Sequence, residues 1–269
     1  MVNADDFGLS PGVNRGIIEA HEVGSVTSTS LVANAPGFGD AIARAHRAPR
    51  LGVGLHVNLI VGAPVAPRET VASLWDPRSE GGAFYPLSRL VRRALGGQIK
   101  PEHVAIECAA QLAALRSAGI AVTHIDSHRH VHVLPGIWRG VVAAARQAGV
   151  RAVRVPHEPG VSIKQICLRA SWSVAASGDR GDDVRLVRQF RGLSLMHASD
   201  YKRALLKLLD ELPSGVTELM VHPGYVDADL ATWDGYTSAR ERELAALRSA
   251  VVHARFTRGD IALCHFGQL

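Results

Sequence analysis

The chain has 269 residues, enough for one large domain that buries a core of its own. Hydrophobic residues at 47% and charged residues at 20% are ordinary globular values and exclude a disordered chain. The net charge is +5, but the densest basic runs, 89–93 and 180–191, lack the interleaved aromatics of single-strand binders; nucleic acid is not expected as a partner, and a basic rim drawing a polar or anionic ligand is.

In chain order, short β-rich apolar runs lie at 2–4, 25–33, 51–58, 121–127, 152–155, 218–221 and 260–264. Between them, apolar residues recurring at i, i+3 and i+4 predict helices at 13–21, 41–48, 102–118, 137–148, 199–211 and 239–255. Gly24, Gly119, Gly149 and Gly259 close several of these, as helix C-termini prefer. Strands alternating with helices imply βαβ units and a parallel sheet, and about seven such units predict a distorted or incomplete (β/α) barrel within a single domain spanning 1–269. No GxGxxG follows the first strand, which removes the main support for a dinucleotide fold. Two stretches, 61–100 and 160–198, resist the alternation and are expected to be loop insertions over one face. No apolar run approaches the roughly 18 residues of a membrane helix, and no basic-then-apolar leader opens the chain. Cys108, Cys167 and Cys264 are odd in number and outside any CxxC pattern, which predicts buried, reduced thiols in a cytoplasmic protein.

In parallel barrels the chemistry sits where strands end. Here the strand ends carry Asp5 and Asp6, His56, Asp126 with His128, Arg154, His222, and finally His265. If the chain stays extended through THIDSHRHVH, strand alternation puts Asp126, His128, His130 and His132 on one side. Imidazoles suit a borderline divalent cation, and a neighbouring carboxylate, Asp126 or Asp5, could fix a ring's tautomer. A hydrogen-bonded polar strand end without metal is the competing reading. Asp6, His56 and His128 would form a three-ligand site with open positions, the pattern of a catalytic metal. Adjacent strand residues point to opposite sides, so only a turn brings Asp5 to the same place; Asp6 then binds the ion and Asp5 takes a proton from water. His222, before Pro223, offers a second acid/base group. Trp75, Tyr85, Trp138, Trp233 and Tyr236 are candidates for stacking on sugar rings. Arg154 and Arg240 are candidates for holding an anion or hydroxyl, against the plainer reading of surface salt bridges.

With these residues in view, the chain resembles the YdjC-like carbohydrate deacetylases, which include chitooligosaccharide deacetylases. The matching stretches are NADDFGLSPGVNRGI, GLHVNL, THIDSHRHVHVLP and HPGYVD, followed by YTSARERELAAL and DIALCHFGQL. RAVRVPHEP resembles a branch associated with hopanoid biosynthesis, whereas DSHRHVH and HPGYVD resemble the general carbohydrate branch. The resemblance implies a barrel akin to polysaccharide deacetylases, with one divalent ion (zinc or magnesium, cobalt or nickel also compatible) held by Asp6, His56 and His128. It implies Asp5 as base and His222 as acid in hydrolysis of an N-acetyl group on a sugar or glycolipid, and places His130 and His132 in the same motif; these two, with Arg154, Tyr236 and Arg240, are the candidates for contacting substrate, and a homodimer is compatible with such a barrel. Relatives carry more residues before NADDFG, so a short first strand is expected here. The competing readings are a phosphoesterase or amidohydrolase on a similar barrel, which usually carries HxH on its first strand, and a non-catalytic sugar-binding relative.

Overall fold

The computed structural model describes residues 1–178, 184–187, 189–196 and 198–269. In these residues eight strands make one parallel sheet: β1 (Val2–Phe7), β2 (Ser28–Leu31), β3 (Gly52–Val57), β4 (Val122–Ser127), β5 (Ala152–Arg154), β6 (Arg185–Val187), β7 (Gln189–Arg191) and β8 (Thr217–Val221). Their order is β6-β5-β4-β3-β2-β1-β8-β7. β6 pairs with β5, β7 pairs with β8, and only residue 188 separates β6 from β7 in the chain. One stretch therefore supplies both edges of the sheet, and the sheet curls into a nearly closed barrel with a single seam. The incomplete (β/α) barrel read from the alternation is the fold that forms.

Among the described residues, ten helices surround it: α1 (Pro11–Glu22), α2 (Phe38–Arg47), α3 (Leu87–Leu95), α4 (Pro101–Ser117), α5 (Ile137–Ala148), α6 (Ile163–Gly178), α7 (Tyr201–Asp210), α8 (Ala228–Trp233), α9 (Ser238–Leu247) and α10 (Ala250–Phe256). Local chemistry sets their ends. Ser10 accepts from the Val13 amide ahead of Pro11 at the start of α1, and Gly149 closes α5 in the left-handed region at φ 66°. The single helix expected at 239–255 is two, because Ser249 caps a new one through the Val252 amide. Among the described residues, no helix is long and apolar enough to cross a membrane.

Three sequence expectations are corrected. β1 is not short: it runs six residues, is buried throughout and is paired on both sides, to β2 and β8. The run 260–264 is not a strand, because the place beside β8 is taken by β7. The segment instead leads Phe266 under the barrel, where it stacks on His124 with ring centroids 3.9 Å apart. Finally, 61–100 carries two 3-10 turns and α3, while 160–198 supplies α6 and both sheet edges; the basic run at 180–191 lies partly outside the described residues. Of the three thiols only Cys108 is buried; Cys167 is exposed and Cys264 half-buried.

The barrel interior is polar. Asn3, Ser28, Ser30, His124, Asp126, Arg154 and Glu218 are all fully buried inside the sheet. Burying so many polar groups is tolerable because each has a partner: Asn3 bonds Ser30, Ser30 bonds Asp126, Arg154 joins Asp126 and Glu218, and Ser28 and His124 bond the Gly52 carbonyl and the Thr123 hydroxyl. Hydrophobic packing lies instead between the sheet and its helices, where Ile17, Leu31, Leu55, Leu112, Trp138, Val141 and Leu247 share one core.

Candidate active site

The paired aspartates lie at an irregularity in the sheet. The β1–β2 register runs Asn3 to Ser28 and Ala4 to Thr29, then shifts before Phe7 meets Leu31. Asp6 takes φ 71°, in the left-handed region that costs a non-glycine residue about 1–2 kcal/mol. This kink turns both carboxylates to the end of the barrel, as two adjacent strand residues otherwise could not be.

They then have separate partners. Asp6 Oδ1 lies 2.8 Å from His128 Nδ1 and 3.2 Å from His56 Nε2, while its Oδ2 accepts from Arg240 Nη2 at 2.6 Å. Asp5 is gripped through both oxygens by the Arg154 fork, at 2.6 Å each, and also accepts from Asn3 at 2.8 Å. Burial would raise the Asp6 carboxyl, but His128 and Arg240 outweigh it and hold it well below the usual carboxylate range.

His56 comes from β3 and stands beside Asp126 of β4 in the parallel register. Its Nδ1 pairs with Asp126 Oδ1 at 2.7 Å, so Nε2 faces Asp6. Burial opposes charge on this ring, yet Asp126 and Asp6 lift it to about 10. Asp126 is fixed in turn by Ser30 at 2.7 Å and Arg154 at 2.8 Å. Asp126 thus fixes the orientation of the His56 ring.

After Ser127 the strand ends. The segment His128–Val133 coils into a 3-10 turn in which Arg129 and His130 have φ of 59° and 57°. The extended alternation expected of His128, His130 and His132 is therefore absent. His128 reaches Asp6, but His132 turns away, with Nδ1 on Ser127 and Nε2 on the Arg154 carbonyl. Burial holds His132 down at about 4. His130 remains at the cleft, its ring edge-on to Phe190 and its Nδ1 without a hydrogen bond.

His222 follows β8 at the opposite wall. Burial pushes it down to about 3, against the pull of Asp6 and with Arg240 and Lys164 reinforcing the effect. Tyr236 lies edge-on to its ring at 5.3 Å and donates to Glu243 at 2.6 Å.

Asp5, Asp6, His56, His128, His130, His222 and Tyr236 thus line one cleft. Arg154 and Arg240 do not sit on a surface: both are fully buried behind the aspartates, Arg154 joining Asp5, Asp126 and Glu218, Arg240 joining Asp6 and Asp234. Of the aromatic candidates, Trp138 and Tyr85 are core residues, and only Tyr236 lines the cleft. His265 lies away from the cleft, capping a 3-10 turn at Gly267.

Sequence reasoning missed Arg129, Lys164, Met196, Asp234, Glu218 and Glu243. For Glu243 a signal was present: Arg240 and Glu243 fall in phase with Leu244 and Leu247, at i, i+3, i+4 and i+7, so the charges occupy the inward stripe of α9.

The ligand atoms of Asp6, His56 and His128 lie within 4.8 Å of one another, as do those of Asp5, His56 and Asp126. The first set fits a divalent cation better: two imidazole nitrogens and one carboxylate oxygen converge, and the outer nitrogen of His56 is already tied to a carboxylate. In the second set Asp5 and Asp126 are already paired with Arg154.

Known proteins are similar to this chain along its whole length. A curated carbohydrate deacetylase from Brevibacillus brevis is 36% identical, covering 100% of this chain and 98% of its own. One from Homo sapiens is 33% identical over 100% of this chain and 90% of its own. The crystal structure of an Enterococcus faecalis protein described as a cellobiose-phosphate cleavage protein superposes with a TM-score of 0.80 at 30% identity, covering 100% of this chain and 97% of that one. The family model for YdjC-like proteins matches residues 1–258, and with the barrel, the kinked aspartate pair and the whole-chain relatives in hand, the chain belongs to the YdjC-like family.

Proposed function

We propose that this protein is a metal-dependent carbohydrate deacetylase that hydrolyses the N-acetyl amide of an amino sugar, free or within a glycolipid, and releases acetate. The observation that carries the reading is the division between the two aspartates: Asp6 faces two imidazoles, while Asp5, one residue away, is held apart by Arg154 at the same cleft. The names of the curated relatives support the substrate class.

Asp6, His56 and His128 would hold one divalent cation, which when bound polarises the acetyl carbonyl and acidifies water. Asp5, oriented by the Arg154 fork, takes the proton of the attacking water at a carboxylate oxygen. His222, across the cleft, gives a proton to the departing amine nitrogen. Burial keeps the ring neutral at rest, so the proton it gives is the one Asp5 takes from water, passed to the ring before the C–N bond breaks, which returns Asp5 to its carboxylate form.

Acetate release from a panel of N-acetylated sugars and glycolipids, with zinc, magnesium, cobalt or EDTA, tests the reading. Activity is expected to vanish with chelator and return with a divalent ion. Asp5→Asn should keep metal stoichiometry and lose acetate release by about a hundredfold or more, the scale of general base catalysis. His128→Ala should lose both metal and activity. Phosphate-ester turnover without deacetylation, or sugar binding without acetate release, would overturn it.

A further inference from the structure

We propose that Glu243 is the positioning residue for His222: its carboxylate faces the ring's Nδ1 and fixes Nε2 as the nitrogen that delivers a proton to the leaving amine. This rests on the deacetylase reading above and assigns a role to a residue that touches neither substrate nor cation.

Glu243 sits on α9, fully enclosed at 1% exposure. Its Oε2 accepts from the His222 backbone amide at 2.7 Å and from the Tyr201 hydroxyl at 3.0 Å. Its Oε1 accepts from the Tyr236 hydroxyl at 2.6 Å. Three donors converge on it, from the residue after β8, from α7 and from the loop ahead of α9; a carboxylate accepts all three as they stand, whereas a glutamine puts its N–H2 on one side, where a tyrosine hydroxyl has to reverse and accept. Oε1 then lies 3.9 Å from His222 Nδ1, which is buried and has no hydrogen-bond partner of its own. Among the described residues, that ring is the basic group nearest this carboxylate, within 4 Å.

A buried ring nitrogen without a partner beside a locked carboxylate fits a hydrogen bond that forms only in the working state, and catalytic hydrogen bonds in unliganded sites are often long. When the C–N bond breaks, its electron pair stays on nitrogen, which takes the proton from Nε2. The imidazole is left neutral with its remaining proton on Nδ1, toward Glu243. Without the carboxylate, the ring is free to present either nitrogen and its cationic form loses a counter-charge 3.9 Å away. The plain alternative is that Glu243 only staples α9 and α7 to the end of β8.

A leaving group that needs no proton separates the two. The holoenzyme and its Glu243→Gln, His222→Ala and double variants are compared on an N-acetyl sugar and on 4-nitrophenyl acetate, with metal content measured for each. The expected result is that Glu243→Gln lowers kcat on the amide at least tenfold more than on the activated ester, that His222→Ala shows the same bias, and that the double variant is no worse than His222→Ala. Glu243→Asp should recover part of the loss. Equal losses on both substrates, or additive losses in the double variant, would leave Glu243 a staple and overturn the proposal. Should Glu243→Gln fold poorly, Tyr236→Phe, which removes one donor to Oε1, is expected to give a smaller loss with the same bias toward the amide, and no bias overturns the proposal. A wild-type enzyme that releases no acetate from any amide overturns the deacetylase reading itself, a result separate from the pattern among variants.

Discussion

At the scale of single residues, Arg154 decides most. One guanidinium joins Asp5, Asp126 and Glu218 with no water contact. Removing one partner of a buried ionic cluster strands the others, at about 3–5 kcal/mol. Arg154→Met should therefore lower the denaturant midpoint by that order, and an unchanged midpoint would show that the carboxylates take up protons at no cost. Arg154→Lys keeps the charge but has no planar fork for parallel contacts with Asp5. It should fold better than the methionine variant yet lose kcat, because Asp5 is no longer held toward the cleft. The residue was visible in RAVRVPHEP, but its side chain points under the site rather than over it, and nothing local to the sequence says which.

At the scale of elements, the sheet register builds the site. His56 meets Asp126 because β3 and β4 pair in that register, and the β1 kink sits between Ala4 and Phe7. The same closeness explains Gly54. A methyl group there would stand 2.3–2.5 Å from the His124 ring, which is itself pinned against Phe266. Gly54→Ala is expected to cost about 1–3 kcal/mol by overpacking, read from urea unfolding; a neutral change would mean that the ring moves aside. Phe266→Ala opens the other side of that stack and should cost about 3–5 kcal/mol, as large-to-small core changes do. α3, α6 and α8 were not read and α9 with α10 was read as one, but most helices were legible to within a few residues because their periodicity is local. β6 and β7 were not, since each has three residues and owes its existence to strands far away in sequence.

At the scale of the whole molecule, the polar interior ties stability to pH. Burial holds His124 at about 3, His132 at about 4 and His222 at about 3. The unfolded chain takes up protons near 6.5 where these rings do not, so the stability they contribute above that pH is lost as pH falls. Glu218, raised by burial to about 7, acts in the opposite sense: its contribution is present at low pH and is lost as pH rises from 4.5. His56, lifted to about 10 by Asp126 and Asp6 against burial, contributes fully below 6.5 and so stays constant in the acidic window. Burial holds His130 down as well and raises Glu107 and Glu243 like Glu218, so four buried imidazoles stand against three buried carboxyls. Metal-free protein should lose stability, on the order of a few kcal/mol, between pH 6.5 and 4.5. Thermal unfolding in EDTA across that range checks it, and a flat or rising Tm toward acid would contradict the burial of these rings as neutral groups.

By itself the sequence determined the alternating strand–helix order, the barrel class, and the set Asp5, Asp6, His56, His128 and His222, because local periodicity and strand-end chemistry are written in neighbouring residues. Only the tertiary structure decided that β1 runs six residues, that residues 185–187 and 189–191 form the two edges of the sheet, that His132 leaves the site, and that Arg154, Arg240 and Glu243 lie buried behind it. Those outcomes depend on register and on which face of an element is inward, and both are settled by contacts between residues distant in the chain.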